Sequence, residues 1–276
     1  MLANPINQTV EVMSAPQNID LLFILQPAIV ILISFGLVVC WRYKRSFAGA
    51  VLLYSFVAYF GAIALKYLVQ LPTARYVLES FGPSSPVFAL YLGLQTVFFE
   101  VGLAFLLAYH GVRRAKLKAK DAEAYGIGLS LWENGVFLGL IPLINLLAIY
   151  VILGSNMLLA QTVYSQITRS HPFLFNRPAE VLPLIGWGIL ERISSTLAHF
   201  SWGYLSLVAA AFRKWRYFGL ALPMGLLDAL VPWAGTVPPE VSEPVLFAIT
   251  VGFFTVSLAA TRELRRKIKW SPTKRK

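Results

Sequence analysis

Four ionisable side chains embedded in long apolar stretches are the residues of this sequence best suited to chemistry. They are Glu100, Glu133, His199 and Asp228. A carboxylate in a low-dielectric site can act as a general base toward water, and a histidine can orient that water or stabilise an oxyanion. A histidine with carboxylates can also hold a divalent metal such as zinc. A structural network of hydrogen bonds between helices is the competing interpretation, although ionisable groups within a membrane are usually functional.

Glu191 and Arg192 form a second charged group, on the same predicted helix as His199. Glu191, Ser195 and His199 are each separated by four residues, so they share one face of that helix. A polar face on a membrane helix turns inward, because lipid offers it no hydrogen-bond partner. Adjacent helical residues point about 100° apart, so we expect Arg192 to pair with an acid on another helix. The sequence therefore assigns Glu191 and Arg192 a structural or substrate-positioning role.

The composition indicates which kind of element positions these residues. Of the 276 residues, 57% are hydrophobic and 13% are charged, whereas a soluble domain has about 25% charged residues. This composition predicts an all-α fold, a polytopic bundle of transmembrane helices in the cell membrane. The one cysteine, Cys40, excludes an internal disulfide and a multi-cysteine metal site.

Seven apolar stretches are each long enough to cross a bilayer, which takes ~20 residues. They are predicted at 21–41, 46–69, 86–108, 125–155, 182–211, 217–233 and 245–261. Pro142 is expected to kink or divide the long fourth stretch. Residues 70–85 are expected to form a loop, and 156–180 a connector that contains a surface helix.

The domain organisation follows from these bounds. We expect an external N-terminal segment at 1–19 without a cleaved signal peptide, since it has no basic start and no small-residue cleavage site. A transmembrane helical domain is predicted at 20–262, with the polar residues concentrated in 87–230. A basic tail is predicted at 263–276.

The positive charge is distributed unevenly between the predicted loops. Of the 24 Lys and Arg residues, 19 fall in the segments 42–45, 111–120, 213–216 and 262–276. Cytoplasmic loops of membrane proteins carry such an excess, so the pattern predicts an external N-terminus and a cytoplasmic C-terminus. Topology thus explains the net charge of +11, and no nucleic-acid partner is expected. The expected partners are the lipid bilayer and a membrane-embedded protein.

The depth of the polar residues can be estimated from the helical rise of ~1.5 Å per residue. Counted from the basic ends of their spans, Glu100 and Glu133 lie ~12 Å deep, Asp228 ~16 Å and His199 ~18 Å. Four helices therefore contribute to one polar layer. Glu191 lies further from the basic end, outside this layer.

A set of short motifs between residues 98 and 228 resembles that of a known family. The motifs are Phe98-Phe99-Glu100 before a basic loop, Gly126-Ile127-Gly128 followed by Glu133, Glu191-Arg192 followed by His199, and Leu226-Leu227-Asp228. They are similar to those of the YhfC group of intramembrane metalloproteases, which is related to the PrsW and CAAX-protease-like membrane families. The resemblance covers roughly 87–230 and implies a membrane protease. By position, it carries over to Glu100, Glu133, Glu191, Arg192, His199 and Asp228.

Three positions depart from the family pattern. Val101 follows Glu100 where a second glutamate is common, and Leu129 and Met224 stand where histidines are expected. Without these histidines, two mechanisms stay open. One depends on zinc, and in the other a glutamate activates the water without a metal.

The leading hypothesis is an intramembrane peptidase whose polar layer receives water from the cytoplasmic side. In this hypothesis Glu100 or Glu133 is the general base and His199 orients the water. A degenerate, non-catalytic relative that acts as a membrane scaffold or chaperone is the first alternative. An ion- or proton-coupled transporter that uses the same acids is the second.

Overall fold

A computed structural model of the chain describes residues 17–155 and 157–267, and the regular elements in these ranges are all helical. This confirms the predicted all-α fold. The predicted N-terminal segment and basic tail fall mostly outside the described residues. The helices are α1 (Leu21–Lys44), α2 (Ala50–Phe81), α3 (Pro86–Arg113), α4 (Ala119–Ser155), α5 (Met157–Ser170), α6 (Pro178–Phe212), α7 (Trp215–Ala234), α8 (Pro239–Ala260) and α9 (Arg262–Lys267).

Within the described ranges, six helices are long and apolar enough to cross a membrane, namely α1 to α4, α7 and α8. The chain is therefore a multi-pass membrane protein. The remaining predicted span, 182–211, corresponds to α6, which has 35 residues but is less apolar than the six. Both the count of seven and the orientation of the termini stay predictions.

Helix α6 is the central element of the bundle, and it packs against α1, α3, α4, α7 and α8. The half of α6 that follows His199 is closely packed, and Tyr204, Leu205 and Val208 in it are all buried. A helix surrounded by other helices can carry polar side chains, because its neighbours rather than lipid supply their partners. This enclosure explains why the most polar of the long helices lies at the centre.

The basic loops gather at one end of the bundle. One cluster of buried side chains contains Phe47 and Leu117 from two loops, Tyr217 from the start of α7 and Leu264 from α9. An ion pair between Arg45 and Glu123 joins the end of α1 to the start of α4, with 2.5 Å between nitrogen and oxygen. We call this the basic end.

The loop predicted at 70–85 is wrong, because α2 continues as a helix to Phe81. Polar contacts hold this extension, since Gln70 donates to Gln95 at 2.8 Å and the Thr73 hydroxyl lies 2.8 Å from the Tyr91 hydroxyl. Gly82 ends the helix with a positive φ of 81°, a conformation that glycine adopts without steric strain.

The division expected at Pro142 does not occur, because α4 runs unbroken through this residue. The stretch just before it, Leu131–Leu140, is π-helical. A π-helix has i→i+5 hydrogen bonds and a wider turn than an α-helix. The missing N–H of Pro142 thus falls where the hydrogen-bond pattern changes from π to α.

Two glycines bring α4 and α6 into close contact. A Cβ atom at Gly203 would lie 2.9 Å from the Cα of Gly126, closer than real Cβ atoms approach other atoms. Small residues at helix crossings let two backbones approach closely within a membrane. This crossing lies one turn from His199 on α6 and two turns from Glu133 on α4, so it sets the spacing of the polar layer.

Candidate functional site

Five ionisable side chains form one continuous chain of contacts inside the bundle. In order, they are Glu133, His199, Glu100, Lys66 and Asp228. The His199 Nδ1 atom lies 2.5 Å from Glu133 Oε2, and Nε2 lies 3.1 Å from Glu100 Oε2. The Lys66 ammonium contacts Glu100 Oε1 and lies 3.2 Å from Asp228 Oδ2. All four residues predicted from the depth count therefore meet, and we call this chain of five the polar layer.

Sequence reasoning missed Lys66, which lies close to the predicted end of the second span at residue 69. Because α2 continues to Phe81, Lys66 lies in mid-helix, and its side chain is only 13% exposed. A signal was present in the sequence. Tyr59, Lys66, Gln70 and Thr73 follow each other at spacings of seven, four and three, which places them on one helical face.

Local departures from α-helical geometry position the three acids. Glu100 lies in the π-helical segment Thr96–Val101, and Glu133 lies in the π-helical segment Leu131–Leu140. Asp228 lies in a 3-10 helical segment, Leu222–Leu230. Short π-helical stretches are rare and frequently occur at functional sites. His199 differs from the acids in lying on a regular α-helix.

Neighbouring side chains fix the His199 ring. The ring centroid of Trp202 lies 4.1 Å from that of His199, and the Tyr59 ring lies 6.1 Å away. The Ser195 hydroxyl donates to Glu133 Oε2 at 2.9 Å and accepts from Asn134 Nδ2 at 3.2 Å. The Glu133 oxygen that faces His199 is therefore held from two sides.

Glu191 and Arg192 contact each other, which overturns the expectation that Arg192 pairs with an acid on another helix. Long side chains can bend around the helix, so the 100° between their Cα–Cβ directions does not keep the charged groups apart. Both residues line the two cavities described next. In the part of the chain that the structure describes, no ion pair joins them to the five residues of the polar layer, and they share the small cavity with Glu133 and His199.

A cavity of about 140 Å³ borders the polar layer and has room for several water molecules. Glu133, His199 and Asp228 line it, together with Glu191 and Arg192. A second cavity of about 500 Å³ shares the Glu191–Arg192 pair with the first. Its walls are largely apolar and come from α1, α4, α5, α6 and the turn at Pro172–Phe175.

The two cavities reach the polar layer from the end of the bundle opposite the basic end. Their α6 residues extend no further along the chain than Trp202, whereas Tyr204, Leu205 and Val208 beyond it are buried. These cavities favour access to the polar layer from the end opposite the basic end, and the expected entry of water from the cytoplasmic side stays a prediction.

The polar layer does not fit a metal centre. Each nitrogen of His199 faces a different carboxylate, so Glu100 and Glu133 lie at opposite edges of the ring. A metal-bound histidine uses one ring nitrogen for the metal, and catalytic zinc needs three convergent protein ligands. Among the described residues, no group of three or more His, Cys, Asp or Glu side chains has a metal-binding arrangement.

Comparison with known protein families gives a match to one of them. Residues 29–233 match the family described as YhfC intramembrane metalloprotease. The chain belongs to this family. Membership confirms the resemblance predicted from the sequence, and the matched range contains all five residues of the polar layer. No curated protein and no solved structure matches the chain.

The two positions at which the resemblance led us to expect histidines lie in the packed core. Leu129 and Met224 are each 2% exposed and belong to the main cluster of buried side chains. Leu129 packs next to Gly203, and the Ser257 hydroxyl lies 4.0 Å from the Met224 sulfur. Both positions therefore contribute apolar packing in this family member.

Proposed function

We propose that this YhfC family member is an intramembrane peptidase in which Glu133 is the general base. The observation that carries the proposal is that Glu133 both lines the small cavity and is held by His199 and Ser195. Glu100, by contrast, does not line that cavity and uses both its oxygens, one toward Lys66 and one toward His199. These differences in access and contacts favour Glu133 over Glu100 as the general base.

The chemistry requires one water molecule in the small cavity. Glu133 removes a proton from this water while the water oxygen attacks the carbonyl carbon of the peptide bond. The carbon–nitrogen bond then breaks, and the proton held by Glu133 passes to the leaving amine. Arg192 lines the same cavity and can oppose the negative charge that develops on the carbonyl oxygen. His199 and Ser195 keep Glu133 in place throughout.

The substrate class follows from the larger cavity. Phe23, Leu146, Ile149 and Phe173 are among the apolar residues that line it, and it shares Glu191 and Arg192 with the small cavity. An apolar stretch of a membrane-embedded protein, locally unwound, suits such walls. Unwinding is needed because the hydrogen-bonded backbone of an intact helix shields its peptide bonds.

Cleavage can be tested without knowing the substrate. Membranes from cells that express the wild-type chain or Glu133→Gln are compared by chemical labelling of new protein N-termini. New termini in or beside transmembrane segments should appear with the wild type and vanish with Glu133→Gln. Glu79→Gln is the matched control, since Glu79 pairs with Arg75 at an exposed site. Identical termini from wild type and Glu133→Gln would reject the proposal.

A non-catalytic membrane scaffold is the second candidate, and the apolar Leu129 and Met224 favour it. It predicts that wild type and Glu133→Gln capture the same membrane proteins and that neither produces new termini. A proton-coupled transporter has less support. Glu133 and Asp228, the two ends of the polar layer, line the same cavity, so a proton relay along the layer would begin and end on one side.

A further inference from the structure

We propose that the Lys66 ammonium takes the place of a metal ion in this family member, so that the polar layer is complete without a divalent cation. The family is described as metalloproteases, yet the cationic group between the acids of this layer is a side chain. This inference concerns how the layer is assembled. It holds whether or not the chain cleaves peptides.

The position of the Lys66 ammonium is the first support. Its Nζ atom contacts Glu100 Oε1 and lies 3.2 Å from Asp228 Oδ2, so it bridges acids from two other helices. Lys66 is 13% exposed and Glu100 is 9% exposed at their side chains. A carboxylate so far removed from water requires a nearby cation, because an unpaired buried charge is strongly unfavourable. Lys66 supplies that cation permanently.

The contacts already made by Glu100, His199 and Asp228 are the second support. Glu100 is shared between Lys66 and His199, and His199 has a carboxylate at each ring nitrogen. The Thr96 hydroxyl donates to Asp228 Oδ2, the same oxygen that faces Lys66. A divalent ion that joined Glu100 to Asp228 would have to displace the ammonium.

Removing the charge of Lys66 should therefore convert the layer into a cation site. Lys66→Met keeps most of the volume but leaves the carboxylates of Glu100 and Asp228 without a shared cation. Carboxylate oxygens are suitable ligands for zinc and manganese. We expect the Tm of Lys66→Met in detergent to fall by roughly 5–15 °C. Addition of ZnCl2 or MnCl2 should restore a large part of this loss.

The wild-type chain, purified without chelators, provides the direct measurement. We expect its content of zinc and manganese, determined by plasma mass spectrometry, to be far below one equivalent. Neither EDTA nor added ZnCl2 should shift its Tm. Lys66→Arg keeps a cation and should resemble the wild type, and Arg75→Met removes an exposed cation and should gain no response to metal.

The inference fails if the wild-type chain carries about one equivalent of metal that EDTA removes with a loss of stability. It also fails if wild type and Lys66→Met respond equally to added metal. If Lys66→Met does not fold, the metal content of the wild type still decides the question. None of these readouts depends on cleavage, so they separate this inference from the proposed peptidase activity.

Discussion

The Nδ1 atom of His199 lies 2.5 Å from Oε2 of Glu133, and the Nε2 atom of the same ring lies 3.1 Å from Oε2 of Glu100. One imidazole thus joins two glutamates from different helices at opposite edges. The two glutamates differ in surroundings, since Glu133 lines a cavity and Glu100 faces a lysine. This asymmetry makes the glutamates separable by experiment.

Replacement of each glutamate by glutamine should give opposite results. Glu133→Gln removes the proposed base, so cleavage should fall by roughly 10²–10⁴-fold while the Tm changes little. Glu100→Gln removes one of the two charges that face Lys66 and should lower the Tm by several degrees, because Lys66 is left buried with a single acid. Thermal unfolding in detergent and N-terminal labelling measure the two effects. A larger Tm loss for Glu133→Gln than for Glu100→Gln would contradict the assignment.

Ser195→Ala tests whether Ser195 positions Glu133 or itself attacks the substrate. The Ser195 hydroxyl donates to Glu133 at 2.9 Å, which is the geometry of a positioning residue. We therefore expect cleavage to drop by about tenfold, the effect of losing one hydrogen bond of ~1.4 kcal/mol. Complete loss of cleavage, together with labelling of Ser195 by a fluorophosphonate probe, would instead identify a serine nucleophile.

Gly203→Ala tests the crossing of α4 and α6. The added methyl group would lie 2.9 Å from the Cα of Gly126, and backbone there cannot move without shifting a helix. We expect a loss of roughly 1–3 kcal/mol in stability. Gly186→Ala on the same helix is the matched control, because no described atom lies within 4 Å of a Cβ placed there. Equal melting temperatures for both variants would contradict the close crossing.

Thiol labelling tests both the access route and the orientation. In a Cys40→Ser background, Asn145→Cys places a thiol in the larger cavity and Lys116→Cys places one at the basic end. A water-soluble maleimide added outside intact cells should label Asn145→Cys and spare Lys116→Cys. Inside-out vesicles should reverse the pattern. Labelling of both thiols from one side would refute the opposite-end access route.

Much of the polar layer could be predicted from the sequence, because helical rise alone converts residue counts into depth. Glu100, Glu133, His199 and Asp228 fall at similar depths, and the structure brings them together. Lys66 was missed because the second span was ended at residue 69. The contacts that extend α2 join Gln70 to Gln95, and such contacts between helices cannot be read from one helix alone.

The route of access and the metal question depend on packing, which a sequence does not show. The side chains that follow Trp202 on α6 are small, aliphatic or aromatic, and this pattern fits both a water-filled and a closely packed end. Only the positions of the neighbouring helices show that Tyr204 and Leu205 are enclosed. Likewise, one histidine between two acids suggests a metal until the directions of its two nitrogens are known.

Because π-helical segments surround Glu100 and Glu133, the polar layer depends on how many residues these segments contain as well as on their types. A π turn holds about one residue more than an α turn, so deletion of a single residue can restore α geometry. Such a deletion would rotate the following residues by about 100° and turn a different side chain toward His199. Alignments of YhfC sequences that assume a regular helical period will therefore pair the wrong positions wherever one member carries the extra residue.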